Sequence, residues 1–369
     1  MDLSKLNLQE EIKRVKRPFL ISGPCSAETE EQVFTTVQQL ADNTRVNLLR
    51  FGIWKPRTRP NSFEGVGDIA LPWAVAAGKK VNVPISVEVA NKQHVESALK
   101  AGVDVLWIGA RTTVNPFAIQ EIADTLKGVN IPVMIKNPIN PDLELWIGAF
   151  ERLENAGITD LTAIHRGFSY YKHTKYRNLP NWEIPIQLKE RLANIPIICD
   201  PSHITGKSEL LLEVAQKAMD LNFDGLMIET HCNPSEAWSD ARQQITPLQL
   251  ARLLTELNTR SSTINADFEG KFIEMREKIS VLDDRMFDIL ATRMRLSDEI
   301  GDFKREHNIT ILQQEHWSKI IDKRMAMSDE YQLTPKFIRK IMDEIHQESI
   351  RHQLKVMNPS IDNQISNED

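Results

Sequence analysis

A thiol, an imidazole and carboxylates can together hold a metal ion, and this sequence places one of each just after short apolar runs. They are Cys25, His203 and Glu229, with Asp240 a little further on. That donor set suits a borderline divalent cation such as Mn, Fe, Co or Zn. A second set is cationic: Arg50, Lys55, Arg57, Arg111, Lys136 and Arg166, with Thr58 beside Arg57. So many like charges can gather only around anions, and phosphates and carboxylates are the natural partners. Singly, a cysteine, a loop histidine or a surface arginine is usually structural. Only a shared placement makes sites of them.

The runs that must position them are 18–22, 45–51, 84–89, 103–108, 131–135, 159–164, 195–199 and 224–228, all short, apolar and rich in β-branched residues. Amphipathic stretches such as 91–101, 142–156 and 207–221 separate them, closed by Gly, Asn or Pro. Eight strand–helix units in about 250 residues predict a (β/α)8 TIM barrel. A doubly wound sheet is disfavoured, because no GxGxxG follows the first run. Barrels carry their chemistry at the C-terminal ends of the strands. Those ends read Gly23-Pro24-Cys25-Ser26, then Arg50 to Thr58, Glu88, Gly109-Ala110-Arg111, Lys136, His165-Arg166-Gly167, Asp200-Pro201-Ser202-His203 and Glu229. Both chemical sets therefore fall on one rim.

The 369 residues, 41% hydrophobic and 26% charged, are globular in composition and predict two or three domains. With 45 Lys and Arg against 51 Asp and Glu, the net charge of −6 argues against a nucleic-acid partner. Three cysteines are too few for a disulfide framework and predict a reducing, cytoplasmic setting. No apolar run approaches the ~20 residues of a membrane span, and the start MDLSKLNLQEEIKR has no apolar signal region. A soluble protein without a membrane partner is expected.

After a closing helical segment at 246–258 the pattern changes. Residues 1–260 read as the barrel domain, 261–266 as a polar linker, 267–356 as a helical domain, and 357–369 as a polar, disordered tail. Phe272, Met275, Ile279, Leu282, Met286 and Ile289, then Leu296, Ile300 and Phe303, recur at spacings of three and four, which predicts one long helix with a coiled-coil-like seam. Arg293 interrupts that seam as a polar register device or an anion ligand, and Lys304, eleven residues on, returns to nearly the same face. Two more helices are expected at 313–329 and 334–356, the second entered through Thr334-Pro335.

KPRTRP at 55–60, IGAR at 108–111 and CDPSH at 199–203 resemble the signatures of the type I-beta 3-deoxy-D-arabino-heptulosonate 7-phosphate (DAHP) synthases over roughly residues 10–260. The resemblance implies metal-dependent condensation of phosphoenolpyruvate with erythrose 4-phosphate. It implies Cys25, His203, Glu229 and Asp240 as metal ligands, and Arg50, Lys55, Arg111, Lys136 and Arg166 on phosphoenolpyruvate. Arg57 and Thr58 would take the sugar phosphate, and Lys55 would donate a proton to the aldehyde. One departure is Lys136-Asn137-Pro138, where many relatives read Lys-Arg-Gly.

Residues 275–304, with Ser349 and Gln353, resemble the all-helical chorismate mutases. The resemblance implies Arg276 and Arg293 on the carboxylates of chorismate, Lys304 and Gln353 at its ether oxygen, and Ser349 completing the pocket. Gln313 and Trp317 stand where those mutases carry an acidic pair. Arg276 and Arg293 are 17 residues apart, about 26 Å along a helix, too far to share a ten-carbon ligand. An intertwined dimer of three-helix domains, a homo-oligomer of at least two chains, would bring them together. The expected whole is a bifunctional enzyme with prephenate as effector. The alternatives are a synthase with a non-catalytic chorismate or prephenate sensor, and a metal-dependent aldolase of other specificity with a dimerisation tail.

Overall fold

The computed structural model describes residues 6–15, 18–56, 63–260 and 266–358. Two compact units divide the chain, 1–262 and 263–369. In the first, eight parallel strands close into a barrel in sequence order: β1 Phe19–Gly23, β2 Leu48–Phe51, β3 Ile85–Val89, β4 Val105–Ile108, β5 Val133–Lys136, β6 Leu161–His165, β7 Ile197–Cys199 and β8 Gly225–Glu229. The expected barrel is present, and β8 returns to β1 with Gly23 opposite Glu229. Nearly every strand residue is buried, as parallel strands covered on both faces require.

Helix starts are fixed locally. Asn91 and Asp142 each accept a hydrogen bond from the third backbone N–H beyond them, capping Lys92–Ala101 and Leu143–Asn155. Thr246 and Gln249 form a capping box ahead of Pro247–Glu256.

One helix was not foreseen. Leu8–Arg14 crosses the barrel end opposite the rim, burying Leu8 and Ile12 against Phe19, Ile21, Leu48 and Met134. Asp160, one residue before β6, accepts hydrogen bonds from the backbone N–H groups of Leu8 and Gln9. Two buried apolar residues in a seven-residue helix are too few for a periodic signal.

The second unit is helical: Ala266–Glu306, Gln314–Ala326, the short Ser328–Tyr331, and Pro335–Met357. The first helix starts inside the expected linker, and the last takes in Met357, which the sequence places in the tail. The stretch 313–329 is not one helix; it breaks at Met327, after which Gln332 adopts a left-handed turn at φ 53°. Where the long and last helices pack, a Cβ on Gly301 would lie 3.1 Å from Gln353 Cα, so glycine sets their close approach. The seam is bare in the single chain: Ile279, Leu282 and Ile289 are 58%, 60% and 70% exposed. Among the described residues no helix is long and apolar enough to cross a membrane.

Candidate active site

The strand ends bring most of the predicted rim residues to one cavity of about 350 Å³, walled by Arg50, Lys55, Arg111, Lys136, Arg166, His203 and Asp240. Arg57 and Thr58 lie outside the described residues, so the KPRTRP loop is seen only through Lys55 and Pro56. A wider, more open cleft of about 1020 Å³ passes Lys175, Lys207 and Arg242, but Lys175 is tied to Glu213, and His203 and the buried cations Arg50, Lys136 and Arg166 are absent from its walls. The chemistry lies in the smaller cavity.

Arg50 in β2 is buried, and its Nη2 lies 3.1 Å from Glu229 Oε1. Its Nε and Nη1 have no hydrogen-bond partner among the described residues. The guanidinium stands 5.1 Å from the centre of the Trp107 ring, and Lys136 Nζ stands 5.9 Å from it. Lys136 pairs with Asp200 at 2.9 Å. Burial pushes the Arg166 guanidinium down to about 10, helped by Arg177 and Arg111 and opposed by Asp200. These donors are desolvated and strongly disposed towards an anion.

Cys25, His203, Glu229 and Asp240 lie together as two pairs. Cys25 Sγ is 3.3 Å from Asp240 Oδ2, and His203 Nε2 is 3.8 Å from Glu229 Oε1. Among the described residues no three such side chains already converge as a metal cage. Their chemistry nevertheless fits a cation. Glu229 Oε1 is buried and accepts no hydrogen bond, while Oε2 accepts one from Gln243 at 2.6 Å. His203 Nδ1 sits 2.8 Å from Asp200 Oδ2, which leaves Nε2 towards Glu229, the arrangement that orients a ligating imidazole.

Electrostatics agree with that arrangement. Burial, then Glu229, pushes the Cys25 thiol up to about 12, although Lys55 Nζ sits 2.5 Å from its sulfur. Burial would raise Glu229, but His203, Arg50 and Lys55 outweigh it and hold the carboxyl below its ordinary range. Asp240 is likewise held down by Lys55 and Arg177 against its own burial. The thiol is therefore a neutral donor that must lose a proton to bind metal, whereas both carboxylates are ready.

Glycines make the crowding possible. A Cβ on Gly52 would lie 2.0 Å from the Cys25 carbonyl oxygen, and one on Gly109 would lie 2.0 Å from Glu88 Oε1.

Several neighbours escaped the sequence reading. Arg177 ties Asp240 at 2.9 Å and also donates to Gln243, yet it sits in a long loop without periodicity. Asn137 is buried; its Oδ1 accepts from Arg166 N at 2.7 Å while its Nδ2 donates to the carbonyls of Pro138 and Gly167. The departure at Lys136-Asn137-Pro138 thus keeps its lysine and adds a clamp on the Arg166 backbone. Its composition gives no hint of that clamp.

In the helical unit, Arg293 donates to Ser349 Oγ and Lys304 donates to Gln353 Oε1 at 3.0 Å, so four predicted residues converge. Burial lowers the pKa of both cations. Arg276 does not join them. It lies on the same continuous helix, its guanidinium 4.2 Å from the Phe272 ring centre.

Comparison with known proteins follows this division. The model of the DAHP synthetase I family matches residues 7–266, and that of chorismate mutase type II matches 275–354. A phospho-2-dehydro-3-deoxyheptonate aldolase of Thermotoga maritima is 30% identical over 226 residues, 61% of this chain and 64% of that protein. A 2-dehydro-3-deoxyphosphooctonate aldolase of Francisella tularensis is 26% identical over 67% of this chain and 92% of its own. The crystal structure of the Thermotoga maritima DAHP synthase aligns with a TM-score of 0.57 at 27% identity, covering 64% of this chain and 68% of that one.

One buried base gives a pH prediction. Burial, with help from Arg166, pushes His165 down to about 3, so it stays neutral in the fold. The unfolded chain binds its proton below about pH 6.5. This contribution is complete above that pH and is lost on acidification towards 3, at up to about 1.4 kcal/mol per pH unit. Urea midpoints from about pH 7 to about pH 4.5 should fall more steeply for the native protein than for His165→Gln. Equal slopes would sink the assignment.

Proposed function

The chain belongs to the DAHP synthetase I family, with a chorismate mutase type II match at residues 275–354, and from these we propose a bifunctional enzyme. The barrel condenses phosphoenolpyruvate with erythrose 4-phosphate to DAHP and inorganic phosphate, and the helical domain rearranges chorismate to prephenate. The cavity of desolvated cations beside a thiol, an imidazole and two carboxylates carries the synthase reading.

Two multiply charged anions repel each other, so the protein must neutralise both before their carbons can meet. Arg50, Arg111, Lys136 and Arg166 take the carboxylate and phosphate of phosphoenolpyruvate; the open Nε and Nη1 of Arg50 are donors in place for it. Arg57 and Thr58 take the phosphate of the sugar. Cys25, His203, Glu229 and Asp240 would hold a divalent ion of the Mn, Fe, Co or Zn class, which when bound polarises the aldehyde as a Lewis acid. C3 of phosphoenolpyruvate attacks the aldehyde carbon, Lys55 gives its proton to the carbonyl oxygen, water adds at C2, and phosphate leaves. Lys55 Nζ, 2.5 Å from Cys25 Sγ and 3.9 Å from Asp240 Oδ2, supports that role.

The rearrangement is unimolecular and asks only for a compact conformer and charge at the breaking bond. Arg293 and the partner subunit's Arg276 hold the carboxylates, Lys304 and Gln353 face the ether oxygen, and Ser349 completes the wall. Bare seam residues such as Leu282 and Ile289 support an intertwined dimer that buries them. We read the stretch before Ala266 as a linker through which prephenate, bound in the helical domain, lowers the synthase rate. The three cysteines are free, which supports a reducing cytoplasm.

Cys25→Ser should lower metal content and reduce condensation by at least about 100-fold while prephenate formation persists. Unchanged metal content and synthase rate would refute the ligand set. Mixing Arg276→Ala with Arg293→Ala should restore about a quarter of mutase sites, because half of randomly paired dimers are mixed and each has one intact site. No recovery after verified exchange would exclude shared sites. Prephenate should slow the full-length synthase but not a truncation ending before Asp267. If prephenate fills the helical site and the rate stays constant, the domains are merely tethered. Binding of prephenate without its formation from chorismate would leave the helical domain a sensor.

A further inference from the structure

Beside the pairs formed by Arg293 and Lys304 lies a histidine that the functional reading does not use. His346 precedes Ser349 by three residues and Gln353 by seven on the last helix, so all three share one face. Its ring lies flat on the Trp317 indole, with centroids 3.8 Å apart and planes 8° from parallel. That stack fixes the imidazole plane and hence the directions in which its nitrogens can bond. Nε2 is buried and has no hydrogen-bond partner among the described residues. A buried nitrogen left unmatched calls for a partner.

The surroundings define which partner. Burial first, then the charge of Arg293, lower the pKa of His346; Asp343 on its own helix pulls the other way, and Lys304 adds a smaller push down. The imidazole is therefore neutral near pH 7, flanked by two cations. Those cations take the carboxylates and ether oxygen of a dianion. The polar group of chorismate or prephenate that remains is its ring hydroxyl, which is uncharged and can both donate and accept. A neutral imidazole matches it without adding charge.

We propose that His346, braced by Trp317, is a ligand-contacting residue of the helical site whose Nε2 hydrogen-bonds the ring hydroxyl of the bound cyclohexadienyl dianion. This rests on the reading of that site as a chorismate and prephenate site, and it makes His346 the residue that selects hydroxylated ligands.

The test uses the full-length protein and two ligands, chorismate and its 4-deoxy analogue, measured by calorimetry, with prephenate formation followed in parallel. His346→Phe keeps an aromatic surface against Trp317 and removes Nε2. Chorismate should bind about tenfold more weakly, while the deoxy analogue should change less than about twofold. His346→Gln, which restores a polar tip, should recover part of the preference for chorismate. A role in packing alone would weaken both ligands alike in either variant, and that result overturns the proposal. Retention of the native preference by His346→Phe overturns it too, with the site reading intact. Failure of the native protein to bind chorismate or prephenate removes the site reading and the proposal together.

Discussion

A guanidinium taken out of water lies at the floor of the rim cavity. Arg50 and Glu229 are both buried and 3.1 Å apart, a geometry in which desolvation opposes much of the attraction between them. Neither charge could remain there alone. The strand ladder places one on β2 and the other at the end of β8, with β1 between them, and Gln243 satisfies the carboxylate's other oxygen. The Trp107 ring covers the guanidinium, yet two of its nitrogens remain unmatched. The pair is thus closed on the Glu229 side and left with donor capacity on the other.

Much of this was legible because barrel strands announce themselves. Eight short apolar runs separated by amphipathic stretches mark eight strands, and the next residues along the chain must then stand on the rim. Cys25, Lys136 and His203 follow from that rule without knowledge of their partners. Residues whose role is defined by a contact across the chain were not legible. Arg177 reaches Asp240 over 63 positions, and Asn137 reaches Gly167 over 30. Leu8–Arg14 was missed for a related reason, since its value lies in covering a barrel end that only the closed sheet creates. In the helical unit the seam predicted a long helix, while the break at Met327 carries no Gly or Pro to mark it.

The two sites solve the same electrostatic problem differently. In the barrel, carboxylates answer the cations: buried Glu229 for Arg50, buried Asp200 for Lys136, and half-buried Asp240 for Arg177. In the helical unit, Arg293 and Lys304 are answered by the neutral oxygens of Ser349 and Gln353. Neutral partners orient a cation without cancelling its field. A dianion arriving there displaces no counter-charge, which suits a site that must bind one small ligand and hold its shape.

Charge counting explains why the barrel mouth does need its carboxylates. Arg50, Lys55, Arg111, Lys136, Arg166 and Arg177 are six cations, and Glu88, Asp200, Glu229 and Asp240 are four anions, so the difference is 6 − 4 = +2 with Cys25 and His203 neutral. A divalent ion held by Cys25, His203, Glu229 and Asp240 would add two charges and, on loss of the thiol proton, remove one, bringing the mouth to about +3. Phosphoenolpyruvate carries a carboxylate and a phosphate monoester, about three negative charges. On the proposed reading, that match would require the thiol to lose its proton when a metal binds. Burial, then Glu229, keeps Cys25 a neutral thiol, with Asp240 3.3 Å from its sulfur.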